Sequence, residues 1–98
     1  MSYNSFLGSR AGELNSTGSY NTFLGYGAGS ISTGLYNTLL GAGAGYASTG
    51  GSNTFVGHNA GFSSSGGYNT FLGDNAGLST TSGNSNTFLG TRVSPPAL

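Results

Sequence analysis

Few side chains of this sequence could do acid–base chemistry, and two of them, His58 and Asp74, are sixteen residues apart. A carboxylate beside a histidine can orient the imidazole as a general base. Catalysis of this kind also needs a nucleophile within reach of the imidazole. An exposed pair without one contributes only about 0–1 kcal/mol to stability. We therefore predict an exposed contact between the two side chains, and no enzymatic activity.

Metal and phosphate sites are also poorly supported by the sequence. The carboxylates are Glu13 and Asp74, four repeats apart, whereas a metal ion needs clustered oxygen or imidazole ligands. The segment from Gly25 to Gly29 has the glycine content of a phosphate-binding loop. Such a loop needs a helix after it, with its amino end facing the phosphate, and the sequence predicts no helix there. We expect neither a metal nor a cofactor.

A five-residue unit, Asn-Thr-Phe-Leu-Gly, sets the positions of these residues because it recurs along the whole chain. Its asparagines are 17, 16, 16, 16 and 17 residues apart. A fixed period of this kind is the signature of solenoid and array proteins. We predict a single repeat domain over residues 1–98, with 93–98 as its C-terminal end or a linker. The repeats begin at Asn4, Asn21, Asn37, Asn53, Asn69 and Asn86.

The composition limits the classes of partner. Charged residues make up 4% of the chain and its net charge is zero, so the basic surface that nucleic acid requires is missing. The sequence has no apolar run long enough to span a bilayer, so we expect no membrane insertion. Aromatic residues make up 12% and recur at fixed places, which argues against disorder. The chain opens within the repeat, at Ser2-Tyr3-Asn4, and we expect it to be a segment of a longer protein.

The repeat predicts an all-β fold. Each glycine in a helix interior would cost about 1 kcal/mol, and every repeat carries several. Thr-Phe-Leu fits a short strand that the next glycine ends. We predict a parallel β-solenoid (β-roll) with about 16 residues per coil. Each coil would hold this strand, a corner, a short second strand near the Ser-Thr pair, and a second corner.

Two features of the repeat predict where pairing is interrupted. The first repeat has an extra residue near Asn15 and the fifth has one within 79–82. Loops tolerate insertions, so both residues mark the second corner. Pro95 and Pro96 should end the pairing of strands, because proline has no amide hydrogen to donate.

Stacked coils, about 4.8 Å apart, place like side chains over one another in columns. Phenylalanine and leucine are neighbours in the strand, so their columns point to opposite faces. One column should fill the coil, and the other should pack on partner chains, since an apolar stripe left in water usually marks an interface. The small alanine column would fit beside leucine, so we place leucine inside, although the reverse assignment stays open. The predicted subunit interface is Phe6, Phe23, Leu39, Phe55, Phe71 and Phe88.

The unit Asn-Thr-Phe-Leu-Gly-x-x-Ala-Gly resembles the repeats of YadA-like trimeric autotransporter adhesin heads. It is still more similar to those phage tail-fibre and bacterial surface repeats that often precede an endosialidase-type chaperone domain. The resemblance covers Tyr3 to Arg92. It implies a left-handed β-roll, assembled as a homotrimer, that acts as a stalk or adhesive head. Phenylalanine stands where the family usually has alanine, and the coil is slightly longer, which calls for a wider contact between chains or the other face assignment.

The resemblance and the composition together predict a structural stalk or head module of a trimeric fibre, extracellular, on a bacterial cell surface or a virion. Two alternatives remain open. One is a self-assembling filament, joined through free strand edges. The other is a head that binds a cell-surface glycan or receptor through variable corner residues, namely Tyr26, His58, Asn59, Asp74 and Asn75. The asparagine column is predicted to form a ladder of side-chain amides.

Overall fold

A computed structural model of the chain describes residues 2–78 and 82–93. It is an all-β solenoid of about five turns with about 16 residues per turn, which confirms the predicted fold class. All strands are parallel, and each pairs with the next along the chain. No helix in this part of the chain is long and apolar enough to cross a membrane. The strands are β1 (Ser5–Leu7), β2 (Thr22–Leu24), β3 (Thr38–Leu40), β4 (Thr54–Val56), β5 (Thr70–Leu72) and β6 (Thr87–Leu89).

Strand register places like residues over like residues. Phe55 of β4 pairs with Phe71 of β5, and the other strands follow the same alignment. The extra residue of the first repeat is accommodated at the second corner, where the Asn15 side chain accepts a hydrogen bond from the Gly18 amide at 3.0 Å. Most of the predicted insertion at 79–82, and the proline pair, lie outside the described residues.

The predicted second strand is wrong for the described residues, where each coil contains one strand. Amides after the strand alternate between two kinds of partner. The Ser30 amide donates back to the Gly27 carbonyl at 3.1 Å, within the coil, whereas the Gly29 amide donates to the Ala44 carbonyl of the next coil at 2.9 Å. A strand sends its hydrogen bonds to neighbouring strands. This wall is therefore a series of turns joined to the neighbouring coils by every second amide.

The predicted face assignment is also wrong: phenylalanine fills the coil and leucine faces outward. Phe23, Phe55 and Phe71 are at most 1% exposed, and adjacent rings stack with centroids 4.6–4.7 Å apart. The residues predicted to form the subunit interface therefore form the core of the single chain, with one residue in each coil. The buried members are Phe23, Leu39, Phe55 and Phe71, while Phe6 and Phe88 at the two ends of the stack are partly buried.

The asparagine column forms a ladder, but the side chains bond to the backbone of the next coil and not to one another. The Oδ1 atom of Asn37 accepts a hydrogen bond from the Asn53 amide at 2.9 Å. The Nδ2 atom of Asn53 donates to the Gly66 carbonyl at 2.9 Å. Asn53 is 1% exposed, so buried backbone groups are satisfied by these bonds at each level.

Candidate functional site

Each coil turns its first corner directly after the strand, in the sequence Gly-x-x-Ala. In the fourth coil the Ala60 amide donates to the Gly57 carbonyl at 3.1 Å, and Asn59 has φ +56°. A type II turn requires positive φ at its third residue, which asparagine tolerates better than most residues. The turn leaves its second residue, His58, exposed at the corner. Asp74 occupies the equivalent place one coil further along.

The predicted contact between His58 and Asp74 is present. The His58 Nδ1 atom lies 2.9 Å from Asp74 Oδ1, and the two side chains are 60% and 52% exposed. Water screens a pair this exposed, so its contribution to stability is about 0–1 kcal/mol. The Asn75 amide donates to the His58 carbonyl at 2.8 Å, which holds the two corners in register.

Beside this pair lies a cavity of about 240 Å³, which we term the corner notch. Ala42 separates Tyr26 from His58 in the stack of corners, and its small side chain forms the floor between the two rings. Three of the five predicted ligand-contact residues, Tyr26, His58 and Asn59, line the notch. Asp74 and Asn75 belong to the next corner and are not part of its lining.

The notch has a second aromatic wall that the sequence analysis missed. Tyr46 and Phe62 stack with centroids 5.0 Å apart and an interplanar angle of 5°, and both line the notch. A signal for them was available, because both directly follow an Ala-Gly pair and are sixteen residues apart. With aromatic faces and a few polar atoms, the notch has the chemistry of a small-ligand site.

The outer face of the sheet is the second candidate surface. The first and third residues of each strand flank the inward one, as Thr22 and Leu24 flank Phe23, so both form columns on this face. Five leucines are 39–71% exposed, and Val56 is half-buried. The leucine column consists of Leu7, Leu24, Leu40, Val56, Leu72 and Leu89, and the threonine column of Ser5, Thr22, Thr38, Thr54, Thr70 and Thr87.

Neither surface gathers the groups that bind a metal. Within residues 2–78 and 82–93, no three His, Cys, Asp or Glu side chains are placed to hold an ion together. That the chain uses no metal, has no cofactor and is not an enzyme stays a prediction.

Protein-family models, curated protein sequences and solved structures give no match to this chain.

Proposed function

We propose that this chain is a structural module of a homo-oligomeric extracellular fibre, most simply a trimer, whose subunits meet through the leucine column. The observation that carries the proposal is the exposure of that column, with Leu24, Leu40 and Leu72 at 39–44% on the second, third and fifth coils. Burying a fully exposed leucine contributes about 1.5–3 kcal/mol, and about two-fifths of that remains to be gained by each of these side chains. A continuous exposed apolar stripe usually marks a contact with another molecule.

A second copy of the same chain is the partner that best matches this stripe. The column repeats at one side chain per coil, about every 4.8 Å, and a second solenoid presents the same repeat. Symmetric oligomers are the commonest assemblies of soluble proteins. The resemblance to trimeric fibre repeats supports three chains and a place on a bacterial surface or virion. Phe23, Phe55 and Phe71, first predicted to form the subunit interface, are buried and so cannot contact another chain. In the proposal, the leucine column takes that role.

The test is the mass of the chain in solution, measured by light scattering over a range of concentrations. We expect a discrete mass three times that of the chain. A triple variant, Leu24→Ser, Leu40→Ser and Leu72→Ser, should have the mass of a single chain. Its matched control changes the neighbouring column of the same face, with Thr22→Ser, Thr38→Ser and Thr70→Ser, and should keep the trimer mass.

Two outcomes would contradict the trimeric module. A single-chain mass at every concentration would show that the leucine column has no partner of its own kind. A mass that grows with concentration would favour the alternative of a filament joined end to end through free strand edges. That growth should persist in the triple leucine variant, since those edges lie at the ends of the stack.

The corner notch favours a second function, binding of a cell-surface glycan. Aromatic rings can pack on the apolar faces of sugars, and His58 and Asn59 offer hydrogen bonds beside the rings of Tyr26 and Tyr46. The notch, about 240 Å³, is below the usual range of about 300–1,000 Å³ for ligand pockets, so one sugar ring is the largest unit it would enclose.

A glycan array tests this second function. Binding should be lost in both Tyr26→Ala and His58→Ala. Tyr3→Ala is the control, because Tyr3 is an exposed ring on a different column. Absence of binding by the unaltered chain, or binding that survives both notch variants, would exclude the notch as a glycan site.

A further inference from the structure

A column of tyrosines runs along another edge of the solenoid, and serine replaces tyrosine at two of its levels, at Ser52 between two tyrosines and at Ser85 after the last one. The rings of Tyr3 and Tyr20 stack with centroids 5.0 Å apart, and those of Tyr20 and Tyr36 are 5.2 Å apart with an interplanar angle of 9°. The next residue of the column is Ser52, and the one after it is Tyr68. The geometry points to a binding slot for one planar aromatic ring between Tyr36 and Tyr68, in the place of the missing tyrosine.

The width of the slot matches one ring. Two coil steps separate Tyr36 from Tyr68, which is about 10 Å at about 4.8 Å per step. A ring placed midway lies about 5 Å from each neighbour, within the 4.5–7 Å range of stacked aromatic pairs. The column itself uses this spacing between Tyr20 and Tyr36. Two inserted rings would be compressed well below it, so the slot takes one.

The slot is open because small residues form its base. Tyr36 and Tyr68 border one cavity of about 400 Å³, together with Gly51, Ser52 and Gly67. Glycine at 51 and 67 adds no side chain at those two levels, while Leu35 and Thr49 supply the remaining side chains of the lining. The two rings are 59% and 73% exposed, so the faces that a ring would cover are in water.

The chemistry of the slot selects a neutral aromatic ligand. The residues that line it, within the described part of the chain, carry no charged side chain, so a charged ligand gains no ion pair there. A flat ring can stack on both Tyr36 and Tyr68 in the way that the other tyrosines of the column stack on one another. A phenol or indole has this shape, whereas a sugar ring is puckered and does not offer two flat faces.

The backbone at position 52 supplies a direct test, because it already has the conformation of the tyrosine positions. Ser52 has φ +60°, against +62° for Tyr36 and +60° for Tyr68. The variant Ser52→Tyr should therefore fold, complete the column and fill the slot with its own ring. Its melting temperature should be equal to or above that of the unaltered chain.

The experiment titrates the full chain with p-cresol and with indole and follows the backbone amides of Gly51 and Gly67 by NMR. The chain contains no tryptophan, so indole fluorescence provides a second readout. For ligands this small we expect a dissociation constant of about a millimolar. Ser52→Tyr should abolish the shifts, Tyr68→Ala should weaken binding about three- to tenfold, and Ser52→Ala should leave it within about twofold.

Tyr3→Ala is the matched control, since it removes an exposed ring at the other end of the column, and binding should not change. Three results would overturn the proposal. They are the absence of shifts at Gly51 and Gly67 in the unaltered chain, equal binding by a folded Ser52→Tyr variant, and equal binding of methyl β-glucoside. Should Ser52→Tyr fail to fold, unchanged binding by Tyr68→Ala would overturn it as well.

Discussion

The phenylalanine and leucine columns are built from neighbouring residues of the same strands, yet one is core and the other is surface. Phe71 is fully buried, whereas Leu72, the next residue, is 44% exposed. Both columns are apolar at every level, so hydrophobicity alone does not decide between them. Since hydrophobicity does not separate the two columns, we infer that the wall opposite the strand determines which of them is enclosed.

That wall carries a glycine across from four of the phenylalanine rings, those of Phe6, Phe23, Phe55 and Phe71. A Cβ atom built on Gly29 would collide with the ring of Phe23, and one on Gly61 would collide with the ring of Phe55. The alanine before each glycine is also buried, as at Ala28 and Ala60. The Ala-Gly pair thus provides a flat surface against which an aromatic ring fits. A leucine column there would leave part of that space empty, at a cost in packing.

The largest test of this comparison is the pair Phe71→Ala and Leu72→Ala. Phe71 stacks on both Phe55 and Phe88, with centroids 4.7 Å apart in each case, so its truncation should cost about 3–5 kcal/mol. Leu72 is 44% exposed, so Leu72→Ala should cost only about 0.5–1.5 kcal/mol in the isolated chain. Urea titration followed by circular dichroism, at a concentration where the chain is monomeric, measures both.

Equal losses in the two variants would break the comparison. They would mean that the folded chain encloses Leu72 as closely as Phe71, so that the two columns do not differ as core and surface. Thr70→Ala serves as the control, because Thr70 is exposed on the same strand and its truncation should have little effect.

The next effect concerns the asparagine column, which also points into the coil. Asn53→Ala removes the acceptor of the Asn69 amide and the donor to the Gly66 carbonyl, both at 2.9 Å. A buried polar group left without a partner costs about 1–3 kcal/mol, so we expect a loss of about 2–4 kcal/mol in the free energy of unfolding. Asn53→Asp should not restore it, since a carboxylate cannot donate to Gly66. A loss no larger than that of Thr54→Ala would show that the ladder is dispensable.

A smaller effect should separate two glycines of the opposite wall. Gly61→Ala places a methyl group against the rigid ring of Phe55, whereas Gly45→Ala places one 2.7 Å from a methyl of Leu39. Both glycines have similar φ, +59° and +56°, so the backbone strain is common to the two variants. Overpacking costs about 1–3 kcal/mol, and a leucine can rotate away where a ring cannot. Gly61→Ala should therefore be the more destabilising, and the reverse order would contradict the fit of ring to glycine.

The repeat predicted the coil length, the parallel register and the strand positions because these depend on spacing along the chain. It did not predict which face is enclosed, because alternation assigns Phe55 and Val56 to opposite sides without saying which side is inside. The pairing of a phenylalanine with a glycine across the coil, as between Phe55 and Gly61, would have settled it, but that pairing joins residues on different walls. The second strand failed for a related reason. Residues such as Gly27 and Gly29 adopt positive φ, and the sequence alone does not give the alternation of turns that results.

The corner site was predictable in part. His58 and Asp74 share one repeat position, so their contact follows from the period. The second aromatic wall, Tyr46 and Phe62, lies on a different column and comes beside Tyr26 only through the bend of the corner. The break in the tyrosine column at Ser52 was visible in the sequence. Its meaning as a slot depends on the ring spacing, which only the structure provides.

The smallest predicted effect lies on the inner surface opposite the phenylalanines, where burial alone would suggest a large one. Ser32, Ser48 and Ser64 form a fully buried column, and their hydroxyl oxygens have no hydrogen-bond partner within the described part of the chain. Truncating Asn53 leaves its hydrogen-bond partners unpaired, whereas Ser48→Ala removes a group that has no partner and leaves no other group unpaired. Replacement of an unsatisfied polar atom by an apolar surface is nearly neutral or stabilising.

We therefore expect the melting temperature of Ser48→Ala to be equal to or above that of the unaltered chain, against a clear fall for Asn53→Ala. A fall in Ser48→Ala comparable to that of Asn53→Ala would show that the hydroxyl has a partner, such as an enclosed water, and that the interior depends on both columns alike.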